Sequence, residues 1–188
     1  MAAPADVAWA ALCAAGCLLL AYAGQRHVAR PQGLAGPLRA HAVLPSVLAR
    51  RGTVVVLGVS EVVVGVGGLL CVVGAGGLLQ VPSWAARTGL TTCALLYLAY
   101  GSYLSVVGRR SGSVPCGCLG DASRTSRGAS VRALVFGTLF AGYAARPDLP
   151  QLSQAAGLGV LCAALVVVAV VVLQEQWSAL NEAVAAAR

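Results

Sequence analysis

Residues 53–79 read TVVVLGVSEVVVGVGGLLCVVGAGGLL, an apolar run with a single ionisable side chain, Glu61. Wound as a helix at ~1.5 Å per residue, the run is ~40 Å long. That exceeds the ~30 Å hydrocarbon core of a bilayer, so it tilts or protrudes. Val7–Gly24, Thr88–Val107 and Leu149–Leu173 repeat the pattern on either side. The chain is 59% hydrophobic and only 10% charged, where a soluble domain carries about a quarter charged residues. The expected fold is therefore all-α: a polytopic membrane helix bundle of 4–5 transmembrane helices, with almost no soluble domain.

The expected spans are about 7–24, 53–79, 88–107, 131–145 and 152–173, followed by a short tail helix over 174–188. The first could be read as a signal peptide, since Ala21-Tyr22-Ala23 resembles a cleavage site. Met1–Asp6, however, carry an acid and no base, so the segment reads as a retained helix. Ala133–Ala145 is short enough for a re-entrant segment. It spans if Arg132 and Arg146 snorkel at its ends.

All 13 basic residues are arginines, and the net charge is +7. No aromatic-rich basic face accompanies them, which argues against a nucleic-acid partner. Nine lie in two connections, 25–52 and 108–130. The positive-inside bias puts both in the cytoplasm and the N-terminus outside a plasma or inner membrane. In the first connection Pro31, Gly33, Gly36 and Pro37 should break the chain, and Leu38–Leu48 should lie on the membrane surface. His27 and His41 read as solvated loop histidines.

Five of the seven cysteines (Cys13, Cys17, Cys71, Cys93 and Cys162) sit in apolar runs, where a thiol behaves as a small hydrophobe. Cys116 and Cys118 differ, lying in the polar connection as Val114-Pro115-Cys116-Gly117-Cys118-Leu119-Gly120. An i,i+2 pair reaches disulfide geometry only if the chain turns, which Gly117 permits. Arg109, Arg110 and Arg124 nearby favour a thiolate. The spacing favours a redox pair; an incidental pair, or two thiolates holding Cu(I), are the alternatives. Zinc lacks a second ligand pair.

Glu61 is the other chemical signal. A carboxyl that deep in an apolar helix faces the bundle interior and has a partner. Gly58, Glu61, Gly65 and Gly68 share one helical face, and small residues mark close helix contacts. Two roles are open: a structural acid paired with Arg132 or a tyrosine, or a proton acceptor for the thiols. No Ser/His/Asp set, phosphate loop or dinucleotide fingerprint is present, and no cofactor is expected.

Taken together, these parts resemble the methylamine-utilisation protein MauE family and its DoxX-like membrane relatives. The resemblance runs from roughly Val7 to Ala145. It rests on the basic connection ending near Val43-Leu44-Pro45, the membrane Glu61 followed by Gly65, the Cys116-Gly117-Cys118-Leu119-Gly120 motif, and Arg132 opening the next helix. The family usually has Phe where Leu119 stands and often Asn where Ala133 stands, which leaves the client open. The resemblance implies a helical bundle that assists maturation of methylamine dehydrogenase, whose small subunit is rich in disulfides. Other relatives serve thioredoxin-like or disulfide-containing partners.

The reading that follows is a thiol–disulfide redox accessory protein in the lipid bilayer. Cys116 and Cys118 would cycle between dithiol and disulfide, with Glu61 and Arg132 in support. A vitamin-K-epoxide-reductase-like quinone enzyme fits less well, because a second accessible cysteine pair is missing. The rival is a non-enzymatic assembly or Cu(I)-handling protein in which Cys116 and Cys118 hold the metal. Charge places the pair in the cytoplasm, although disulfide assembly of exported enzymes happens outside; a cytosolic thioredoxin could supply its electrons.

Overall fold

The computed structural model describes residues 3–41, 43, 45–74, 81–111, 127–149 and 152–186. Among these the helices are α1 (Pro4–Ala29), α2 (Pro31–His41), α3 (Arg51–Val73), α4 (Ser83–Ser111), α5 (Arg127–Ala144) and α6 (Gln154–Ala186), with a 3-10 turn at Ser46–Ala49. No strand occurs among the described residues. Four helices, α1, α3, α4 and α6, are long and apolar enough to cross a membrane.

The first helix is the centre of the bundle. It packs along α3 and also touches α2, α5 and α6, and 56% of its apolar window is buried against 17% for α6. Its inward face is built of small residues, among them Ala10, Cys13, Ala14 and Cys17, which let neighbouring backbones come close. The α1–α3 seam is the tightest. A methyl group on Gly24 would lie 2.5 Å from the Gly58 carbonyl oxygen, and one on Gly65 would lie 2.7 Å from that of Cys17. Only glycine fits at those crossings. The face of α3 expected to point inward does so: Gly58, Glu61, Gly65 and Gly68 are all buried.

Helices α4 and α5 form a second antiparallel pair with a reciprocal fit. Leu134 fills the space over Gly101, and Leu98 fills the space over Gly137. Gly16 of α1 lies against Phe136 and Phe140, so α5 is wedged between α1 and α4. It runs from one end of the bundle to the other. At the far end the Arg146 guanidinium meets the Asp6 carboxylate at 2.5 Å and lies 5.5 Å from the Trp9 ring centre. Trp9 Nε1 donates to the Leu139 carbonyl at 3.0 Å, and the Arg87 guanidinium donates to the Pro147 carbonyl.

The first basic connection differs from its expected form. Pro31 ends α1 as expected, but Gly33, Gly36 and Pro37 do not break the chain that follows; all four lie within α2. Pro31 stands at the first helical position, where its missing N–H costs nothing. Leu34, Ala35 and Leu38 bury against Ala49 and Val54. That tertiary packing outweighs the weak local propensity of so short a helix. The C-terminal residues expected to form a separate tail helix continue α6 without a break to Ala186. Their exposed Trp177, Leu180 and Val184 extend the apolar stripe at helical spacing.

Candidate functional site

Three helices converge on Glu61. Pro31 ends α1 by disfavouring helical geometry at Arg30, which leaves His27 in the last turn of α1. There it faces the middle of α3. His27 Nδ1 lies 2.6 Å from Glu61 Oε2, and the Tyr100 hydroxyl of α4 donates to Glu61 Oε1. The carboxyl is fully buried and His27 is 3% exposed. A buried carboxyl is tolerated only when its oxygens are satisfied, and each oxygen here has a hydrogen-bond partner. His27 Nε2 is buried and has no hydrogen-bond partner among the described residues.

A parallel contact lies one turn further along α4. His41 Nδ1 meets the Tyr103 hydroxyl at 2.6 Å, with the two rings 5.9 Å apart. The expectation that His27 and His41 are solvated is therefore corrected. Both are buried, because α1 continues to Ala29 and α2 folds back over α3.

The tyrosine alternative for Glu61 is met by Tyr100, and the histidine is an addition that sequence reasoning missed. Arg132 is half-buried near the start of α5. The Tyr97 hydroxyl donates to the Gly16 carbonyl at 2.7 Å. Cys116 and Cys118 lie outside the described residues. The helices that flank them, α4 ending at Ser111 and α5 beginning at Arg127, have those ends on the same side of the bundle as His27.

The apolar-run cysteines are not scattered. Cys13, Cys17 and Cys93 are fully buried, and Cys71 donates weakly to the Ala85 carbonyl at 3.9 Å. A methyl group on Gly68 would lie 2.6 Å from Cys93 Sγ and 2.9 Å from Cys17 Sγ, so the two sulfurs share the space above that glycine. Cys93 donates to the Val64 carbonyl at 3.6 Å. All of these thiols are free. Cys162 is exposed on α6.

This architecture defines a polytopic helical membrane protein with a sealed His–Glu–Tyr cluster between its helices. The family described as methylamine utilisation protein MauE matches residues 5–147, which takes in α1 to α5 and the whole cluster. The chain belongs to that family. No curated protein matches the chain, and no solved structure does.

Proposed function

We propose that the chain is a thiol–disulfide redox accessory protein of the membrane, in which Cys116 and Cys118 cycle between dithiol and disulfide. The observation that carries the reading is the Glu61–His27–Tyr100 cluster, midway along α3 in the bundle whose α4 and α5 flank the cysteine connection. Family membership supports a methylamine-utilisation accessory role. The client is a thioredoxin-like protein or a disulfide-rich subunit.

In this cycle one thiolate attacks a client disulfide, forming a mixed disulfide and releasing a client thiolate. The second cysteine then displaces the client thiol and closes the Cys116–Cys118 disulfide. The client leaves with two electrons and two protons, and a cytosolic dithiol donor restores the pair. Glu61, with His27, exchanges protons within the bundle; Arg132 supports the thiols electrostatically.

Single replacement is the test. Cys118→Ser or Cys116→Ser removes the resolving thiol and should accumulate a mixed disulfide with the client. Cys13→Ala, Cys71→Ala and Cys162→Ala should not. Glu61→Gln should shift the pH dependence of alkylation at Cys116 and Cys118. Free thiol alone in both single mutants defeats the redox reading. Copper that copurifies with the protein and is lost on alkylation would then favour the Cu(I)-handling alternative.

A further inference from the structure

Helix α6 lies beyond the residues that match the family and is the least covered of the four spans. It meets α1, and its Val160 and Ala164 are fully buried. The opposite side carries Val166, Val170, Leu173, Trp177, Leu180 and Val184, all exposed. Their spacing alternates between four residues and three, which is a strict heptad repeat. Val166, Leu173 and Leu180 take the d position, and Val170, Trp177 and Val184 the a position. A repeat of 3.5 residues keeps one stripe facing a second helix along its whole length. Lipid covers such a stripe only within the bilayer. The apolar window ends at Gln174, whereas the helix runs on to Ala186, ~18 Å further at ~1.5 Å per residue. Trp177, Leu180 and Val184 stand on that extension, where no acyl chain reaches them.

We propose that α6 is a dimerisation helix, whose stripe pairs with the same stripe of a second copy as a parallel two-stranded coiled coil running from the membrane into the adjoining water. Three features select a second copy as the occupant. Chains inserted in one orientation bring their α6 helices together parallel, so the stripe meets its own image across a two-fold axis. Valine at 170 and 184 with leucine at 173 and 180 is the combination that favours two strands in a parallel coil. The flanking positions outside the membrane are Gln174, Gln176, Asn181 and Ala183, while Glu175 and Glu182 take the register position furthest from the stripe. No like charges therefore face each other across the seam. Gln176 of one copy comes opposite Asn181 of the other, where two amides can exchange hydrogen bonds. Such neutral flanks suit a copy of themselves and offer nothing to a charged partner. Covering the exposed parts of the six stripe residues on both copies removes on the order of 1,000 Å² of surface, the size at which specific interfaces begin. The inference is independent of the thiol chemistry proposed above.

The test uses the full-length chain with its native cysteines replaced by alanine and one cysteine introduced at a time, in membranes treated with copper phenanthroline. Facing a and d positions of a parallel pair come close enough for a disulfide. Leu173→Cys, Leu180→Cys and Val184→Cys should therefore cross-link to dimers several-fold more than Glu175→Cys and Glu182→Cys. Leu180→Glu sets two carboxylates face to face and should reduce cross-linking at Leu173→Cys several-fold, while Glu182→Gln leaves it unchanged. The reporter positions on the stripe are exposed, so none of them removes a buried side chain. Equal cross-linking at stripe and far-side positions overturns the proposal, since it would report random collision. So does a Leu180→Cys that stays monomeric yet is shielded from an impermeant maleimide, which would give the stripe to the lipid surface. Stripe cysteines that cross-link only to other proteins overturn it as well.

Discussion

His27 Nδ1 stands 2.6 Å from Glu61 Oε2, joining the last turn of the central helix to the middle of α3. Both partners are sealed from solvent. The pair is costly to build, since each group loses its water, and the Tyr100 hydroxyl on the other carboxylate oxygen offsets part of that cost. Apolar residues of the same size would hold three helices together as well or better. A polar cluster at that crossing makes most sense as a place to hold a proton, which is why the proposed chemistry is anchored there.

Breaking the pair from one side should therefore be expensive. His27→Ala leaves a buried carboxylate with only Tyr100 among its described donors, and such losses run to about 3–5 kcal/mol. Glu61→Gln keeps the shape and an acceptor oxygen, so it should cost less. The measurement is the apparent melting temperature of the purified chain in detergent. Equal midpoints for His27→Ala and the parent would refute the idea that this contact holds α1 to α3.

The glycine seam makes a sharper geometric claim. Gly24→Ala and Gly65→Ala push a methyl group into backbone carbonyl oxygens that have nowhere to move, and overpacking of this kind costs about 1–3 kcal/mol. Gly159→Ala meets nothing within 4 Å, and replacing a helical glycine in open space should gain up to about 1 kcal/mol. Melting midpoints should thus fall for the first two and hold or rise for the third. A uniform fall in all three would mean that glycine is needed for something other than helix contact.

Glu61 and its glycine neighbours were legible in the sequence because both signals are local. A charge in an apolar run must find a partner, and Gly58, Gly65 and Gly68 mark its face by spacing alone. His27 was not legible. Beside Arg26 and Arg30 it looks like part of a solvated basic loop, and only the length of α1 and the seat of α2 decide otherwise. Cys17 and Cys93 hid for a different reason: each is an ordinary small apolar residue in its own helix, and the two come together only over Gly68 of α3. Pro31 ends α1 as its residue type suggests, but Pro37 misled because helix-breaking rules describe the local backbone, while Leu34 and Leu38 are held by burial against Ala49 and Val54.

At the opposite end, the contact of Arg146 with Asp6 and Trp9 separates charge from packing. The arginine is 32% and the aspartate 18% exposed, and ion pairs open to solvent contribute at most about 1 kcal/mol. Trp9 also packs against Tyr143, with ring centres 6.0 Å apart, and over Gly142. Truncating so large a side chain costs about 3–5 kcal/mol. Trp9→Ala should lower the melting midpoint several times more than Asp6→Asn does, and added salt should narrow the difference between Asp6→Asn and the parent. Comparable losses from the two variants would show that the ion pair, not the ring, fastens α5 to α1.

The last prediction concerns orientation. Helix directions put Arg26, Arg30, Arg39, Arg50, Arg51, Arg109 and Arg110 at one end of the bundle, and Arg87 with Arg146 at the other. Loops rich in arginine stay on the cytoplasmic side during insertion, so the end that carries α2 and flanks the Cys116–Cys118 connection should be cytoplasmic. Two reporter positions read this directly in a chain whose native cysteines are replaced by alanine. Gly36 is exposed on α2 with nothing within 4 Å of an added side chain, and Asp148 is exposed beyond α5. In intact cells a membrane-impermeant maleimide should label Asp148→Cys almost fully and leave Gly36→Cys at background; opening the cells should expose Gly36→Cys. A cysteine restored at position 118 should behave as Gly36→Cys does. The reverse pattern would put the cysteine connection outside, where disulfide exchange with an exported client needs no cytosolic electron donor. The thiol chemistry proposed for Cys116 and Cys118 would survive that outcome, but the source of its electrons would change.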